Sequence, residues 1–151
     1  MTILNKLTFE EVQQIFRSEN GKSARDPFPE DRLSEAQAQS GEWYECVLSI
    51  ADALEVKLPW NKEFDIPKSG LTVAEALSLP KVLGWQAPNY LDSHVFLSVF
   101  PIVGAVEYRE IRESEGRLIH FDGLHRLLAW AKLGKSEIRA IVAGNACDRG
   151  K

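Results

Sequence analysis

The chain is poor in cysteine, has no surplus of positive charge and lacks any long apolar run. Its two cysteines, Cys46 and Cys147, are far apart and neither belongs to a CxxC pair. That spacing argues against a metal finger or a disulfide framework. No stretch reaches the roughly 18 consecutive apolar residues of a membrane-spanning helix. The opening residues, "MTILNKLTFEEV", lack the basic-then-apolar plan of a secretion signal. A reducing cytoplasm is therefore the expected compartment, with no membrane partner. The 18 Lys and Arg are outnumbered by 22 Asp and Glu, for a net charge of −4, and they are scattered. Proteins that bind duplex nucleic acid draw much of their affinity from clustered basic residues, so no nucleic-acid partner is expected.

What is present is the composition of a globular protein. Hydrophobic residues make up 44% and charged residues 26% of 151 positions, enough for a single domain with a real core. Thr8-Phe9-Glu10-Glu11 has the form of a capping box opening a helix to about Arg17, with Phe9, Val12, Ile15 and Phe16 on one face. A polar connection containing Gly21, Pro27 and Pro29 follows. Apolar residues at helical spacing (Trp43, Val47, Ile50, Ala51, Leu54) predict a long helix over 29–53, with Gly41 as an interruption. "LPWNKEFDIPKSG" reads as irregular. Thr72-Val73-Ala74-Glu75 is a second capping box, starting a short helix that stops before Pro80.

The C-terminal part changes character. "HVFLSVFPIV", residues 94–103, is β-branched and aromatic and predicts a buried strand. Residues 105–113 are ambiguous and read here as helix. Residues 118–121 predict a strand, 124–133 a helix ended by Gly134, and 138–142 a further strand. The expected architecture is α+β, one domain over 1–151. A helical half, 1–90, packs on a small mixed α/β core, 91–145.

Chemistry concentrates in "LIHFDGLHRLLAWAKLGK", residues 118–135, where a strand hands over to a helix. The first amides of that helix have no intrahelical acceptor, and its dipole favours an anion there. Gly123 permits a sharp turn and close approach of a ligand. Leu124 and His125 open the helix, and Arg126 offers a planar fork suited to phosphate. His125 titrates near neutrality and lies off the buried stripe of Leu124, Leu127, Leu128 and Ala131. A plainer reading stands beside this one. Asp122 is then only a helix cap, Arg126 pairs with any of the acidic residues, and His125 is a surface side chain.

Asp122-Gly123-Leu124-His125-Arg126, then Ala129, Leu133-Gly134 and the strand 138–142, resembles the core of the ParB/sulfiredoxin superfamily. The form of the turn is nearest to the free-serine-kinase branch, and the chain is similar in style to small bacterial proteins carrying this motif. Position 124, where sulfiredoxins carry their catalytic Cys, is Leu. The resemblance implies a nucleotide, ATP or ADP with Mg²⁺, resting its phosphates on Gly123, Leu124, His125 and Arg126, with His94 nearby. It implies phosphoryl transfer to a small molecule, with Asp122 and His125 as catalytic residues.

Two alternatives accompany it. The chain has three histidines, His94, His120 and His125. His120 and Asp122 are two apart on a strand and share a face. With His125 or His94 they make up the ligand types of an Fe²⁺ facial triad, the basis for a metal-dependent enzyme of secondary metabolism. The other alternative is a non-catalytic nucleotide-responsive or protein-binding module. Homodimerisation is left open. The four tryptophans are read as packing residues, "GWQAPNY" (84–90) as a lid over the site, and Glu107, Glu110, Glu113 and Glu115 as a solvated face.

Overall fold

The computed structural model describes residues 1–20, 30–111 and 117–145. Helices and strands mix in it around one seven-stranded sheet. The strands are β1 (Thr2–Leu7), β2 (Trp43–Ser49), β3 (Lys57–Leu58), β4 (Leu71–Thr72), β5 (Val95–Ser98), β6 (Ile119–Asp122) and β7 (Glu137–Ala143). Their spatial order is β1-β2-β7-β5-β6-β3-β4. The β5–β7 and β3–β6 pairs are parallel, and the other four are antiparallel. The helices are α1 (Phe9–Asn20), α2 (Asp31–Gln39), α3 (Ile50–Leu54), α4 (Val73–Ala76), α5 (Pro80–Leu83) and α6 (Leu124–Lys132).

Strand alternation sorts the core into two layers. Phe96, Ile119, Phe121 and Ile141 pack with Val12 and Phe16 of α1 and Leu33 and Ala36 of α2. Leu97, Ala140 and Val142 pack with Ala53, Val73, Ala76, Leu127 and Leu128 on the opposite side. The central strands β5 and β6 are therefore buried on both faces.

The α+β class holds, but the N-terminal half is not a helical cover. It supplies β1 to β4 of the shared sheet. The expected long helix over 29–53 is three elements. Gly41 adopts φ +70 and ends α2, a conformation a glycine reaches without a Cβ clash. Ser49 caps a new helix by accepting from the Asp52 amide at 3.2 Å. Between them Tyr44, Cys46 and Leu48 alternate into the core as strand β2. The helical spacing of Trp43, Val47 and Ile50 runs across that boundary. β1 was not anticipated because its period breaks at a bulge between Ile3 and Asn5. Ile3 consequently packs in one core layer and Leu7 in the other.

Both capping boxes form, at Thr8/Glu11 and Thr72/Glu75. The helix expected over 105–113 is only a 3-10 turn, Val106–Tyr108. Buried Tyr108 and Ile111 anchor the segment, and the Tyr108 hydroxyl donates to the His120 carbonyl. The strand expected over 94–103 is confined to β5. Helix α6 ends as anticipated, with Lys135 N–H on Trp130 O and Gly134 N–H on Ala131 O. Gly21, Pro27, Pro29, Glu113, Glu115 and Cys147 lie outside the described residues. Among the described residues, no helix is long and apolar enough to cross a membrane.

Candidate functional site

A cleft of about 880 Å³ opens at the carboxyl ends of β6 and β3. Open sheets commonly hold ligands at such strand ends. Gly123 joins β6 to α6 with φ +91 and forms the helix N-cap. A Cβ there would lie 3.1 Å from Arg126 Nη2 and 3.2 Å from Val95 Cα. The guanidinium thus folds back over the turn, and only a glycine leaves it room. Asp122 is not the cap, since no side chain caps α6. It is instead buried beside Arg126, with Oδ2 accepting from Nη2 at 3.1 Å.

The expected turn residues Asp122, Gly123, Leu124, His125 and Arg126 all line the cleft, and so does His120. Arg126 Nη1 donates to Glu19 Oε2 at 2.9 Å. Burial pushes the Glu19 carboxyl up, but hydrogen bonds from His94 and the charges of Arg126 and His94 carry it below its ordinary value. His94 is not a cleft residue. It sits behind Glu19, with its backbone N–H and Nδ1 on Glu19 Oε1 at 3.0 and 3.1 Å. His125 stands at the rim, half-exposed, with Nε2 2.6 Å from Glu63 Oε2 and its ring beside Phe64 and Trp85.

Arg32 brings a second guanidinium from α2. Its Nη1 donates to the Phe121 carbonyl at 2.7 Å, and its other end pairs with Glu107. The cleft therefore carries Arg32 and Arg126 against Glu19, Asp92, Glu107 and Asp122. Burial holds the Tyr108 hydroxyl well above the usual phenol range, so it remains a donor beneath the site. Trp60 and Tyr90 add aromatic wall.

Segment 84–90 is tied to α6 by Lys132 on the Trp85 carbonyl and by Trp130 Nε1 on the Tyr90 carbonyl at 3.0 Å. Of the four tryptophans, Trp43 and Trp130 pack as expected, whereas Trp60 faces the cleft. Among the described residues, no three His, Cys, Asp or Glu side chains gather as a metal-binding group. His120 and Asp122 share the cleft, while His125 turns to Glu63.

Glu19, Arg32, Glu63, Glu107 and Trp60 were not read as site residues. Glu107 belonged to the stretch expected as a solvated face, and Glu110 of that stretch is exposed. No local pattern marks Glu19 or Arg32, since both reach the cleft through tertiary packing of α1 and α2.

Fold and cleft together define an α+β protein with a charged site at a strand-to-helix handover. The chain belongs to the family of unknown function DUF6309, matched over residues 1–90 and 81–149. It matches no curated protein and no solved structure.

Proposed function

We propose that the cleft binds a phosphorylated small molecule, with a nucleotide as the leading class, and transfers a phosphoryl group to a small-molecule hydroxyl. The carrying observation is the uncapped mouth of α6, opening with Arg126 and Arg32 on one cleft. Helix amides and a planar guanidinium suit phosphate oxygens. The resemblance of the Asp122–Arg126 turn to the ParB/sulfiredoxin superfamily supports the same reading.

Each residue has a role in this reading. Arg126 and the amides of Leu124 and His125 hold phosphate oxygens at the mouth of α6. Asp122 orients the accepting hydroxyl. His125 stabilises charge on the transferred group, the electrostatic task that dominates such chemistry. Four carboxylates against two guanidiniums make the cleft a poor host for a bare polyanion. ATP or ADP would enter as its Mg²⁺ complex, which lowers the charge of the ligand, and Asp122 would be the carboxylate to hold the ion if it does not orient the hydroxyl. Mg²⁺ supplies neutralisation of charge on the phosphates.

The test is a thermal shift with ATP, ADP, CTP and GTP, each with Mg²⁺, on the wild type and on Arg126→Lys, which keeps the charge and loses the fork. A ligand bound to the native state raises the melting temperature. The expected result is a shift with at least one nucleotide that Arg126→Lys largely abolishes, followed by transfer to an acceptor. Fe²⁺ without nucleotide is run alongside, and a shift with it alone would replace this reading by the metal-dependent one. Binding without turnover would leave a nucleotide-responsive module. No shift with any nucleotide would overturn it.

A further inference from the structure

We propose that His94 is a positioning residue, which fixes the cleft arginine from behind without touching a ligand. It extends the phosphate-binding reading, but is judged by a signal of its own.

His94 is 7% exposed and immediately precedes β5. Its Nε2 lies 3.2 Å from Glu45 Oε2, and Arg139 Nη2 lies 3.5 Å from the same oxygen. Its Nδ1 and backbone N–H both take Oε1 of Glu19, leaving Oε2 to Arg126. Arg139, Glu45, His94, Glu19, Arg126 and Asp122 thus form one continuous series. Five structural elements, β7, β2, α1, α6 and β6, supply its other members. Only the last three residues reach the cleft.

The geometry divides the work within Glu19. A carboxylate has two oxygens and rotates freely about its last torsion. With Oε1 held twice by His94, that rotation is stopped and Oε2 is presented to Nη1. Arg126 is long and flexible, and a fork contributes most when it is oriented beforehand. The imidazole is rigid, and its Nδ1 and the backbone N–H both meet Oε1 of Glu19, so it can supply that orientation. Among the described residues, the charged groups against the His94 ring are Glu19 from α1 and Glu45 from β2, with Arg126 and Arg139 one step beyond.

The experiment follows the Arg126 guanidinium Nε–H by ¹⁵N NMR, with the signal identified by its loss in Arg126→Lys. In the wild type it should stand apart from those of exposed arginines. His94→Ala should return it to the averaged position while the backbone amides of α6 stay dispersed. Glu19→Gln should do the same, because it breaks the next link. His94→Gln, whose amide can still donate to a carboxylate, should retain the wild-type signal.

Sulfate, which does not titrate near neutrality, serves as the anion probe. Its affinity should fall about tenfold with His94→Ala and recover with His94→Gln. An Arg126 signal unmoved by His94→Ala would overturn the assignment. Should His94→Ala fail to fold, His94→Leu, which fills the space without a donor, takes its place on the same signal. If neither sulfate nor any nucleotide binds the wild type while the signal moves as expected, positioning stands and the phosphate reading falls.

Discussion

The Arg126 guanidinium lies directly over Gly123, so close that a Cβ on the glycine would come within 3.1 Å of Nη2. Turn and arginine are therefore one unit. Gly123→Ala meets two penalties. The left-handed backbone alone costs an L-residue about 1–2 kcal/mol, and the new methyl pushes Arg126 off its carboxylates. Urea denaturation should show a loss of at least that size. Gly123→Ala should also lose any nucleotide-induced thermal shift, whereas a shift of wild-type size would dissociate the turn from binding.

Asp122 and Arg126 are a buried pair, 2% and 9% exposed. Removing one partner of such a pair typically costs about 3–5 kcal/mol. Glu19 still neutralises Arg126 after Asp122→Ala, so the loss should fall near the lower end, about 3 kcal/mol. Chemical denaturation measures it. A cost below about 1 kcal/mol would mean the pair is solvated like a surface bridge.

Tyr108 ties the 3-10 turn Val106–Tyr108 to β6 by donating to the His120 carbonyl inside the protein. Tyr108→Phe keeps the ring and removes the donor. The expected loss is about 1–2 kcal/mol, the usual cost of leaving a buried acceptor short of a bond. Equal stability of variant and wild type would show that another donor takes the carbonyl.

The parts that could be read from sequence share a property: their signals are local. Thr8/Glu11 and Thr72/Glu75 satisfy amides three residues away, and both boxes form. The strand, glycine and amphipathic helix of 118–135 follow from neighbours in the chain. What could not be read depends on distant partners. β1 needs β2 to define its register, and its bulge erases the alternation. Trp43, Val47 and Ile50 match a helical period only because a strand and a helix abut at Ser49. The cleft shows the same division. Asp122 to Arg126 were visible as a cluster, whereas Glu19 reaches Arg126 across 107 positions of sequence. Asp122, a helix cap only on the plainer reading, is half of an ion pair with Arg126.

Acid should separate two carboxylates whose environments oppose one another. Glu19 titrates below its ordinary value of 4.5, because the contacts of His94 and Arg126 outweigh burial. Its contribution to stability is therefore present above about that pH and is lost as pH falls through the lower folded-state value. Glu35 is raised, first by burial and then by the charges of Asp31 and Glu107. Its contribution is present below the unfolded value and is lost as pH rises through the folded one, so at neutrality its charge destabilises the fold. Glu19→Gln should consequently lower the urea midpoint at pH 7 more than at about pH 3.5. Glu35→Gln should raise it at pH 7 and leave it nearly unchanged at about pH 3.5. Midpoints measured for both variants and the wild type at the two pH values decide the matter. A Glu35→Gln gain that is as large in acid as at neutrality would place its origin in packing against Gly104 and not in charge.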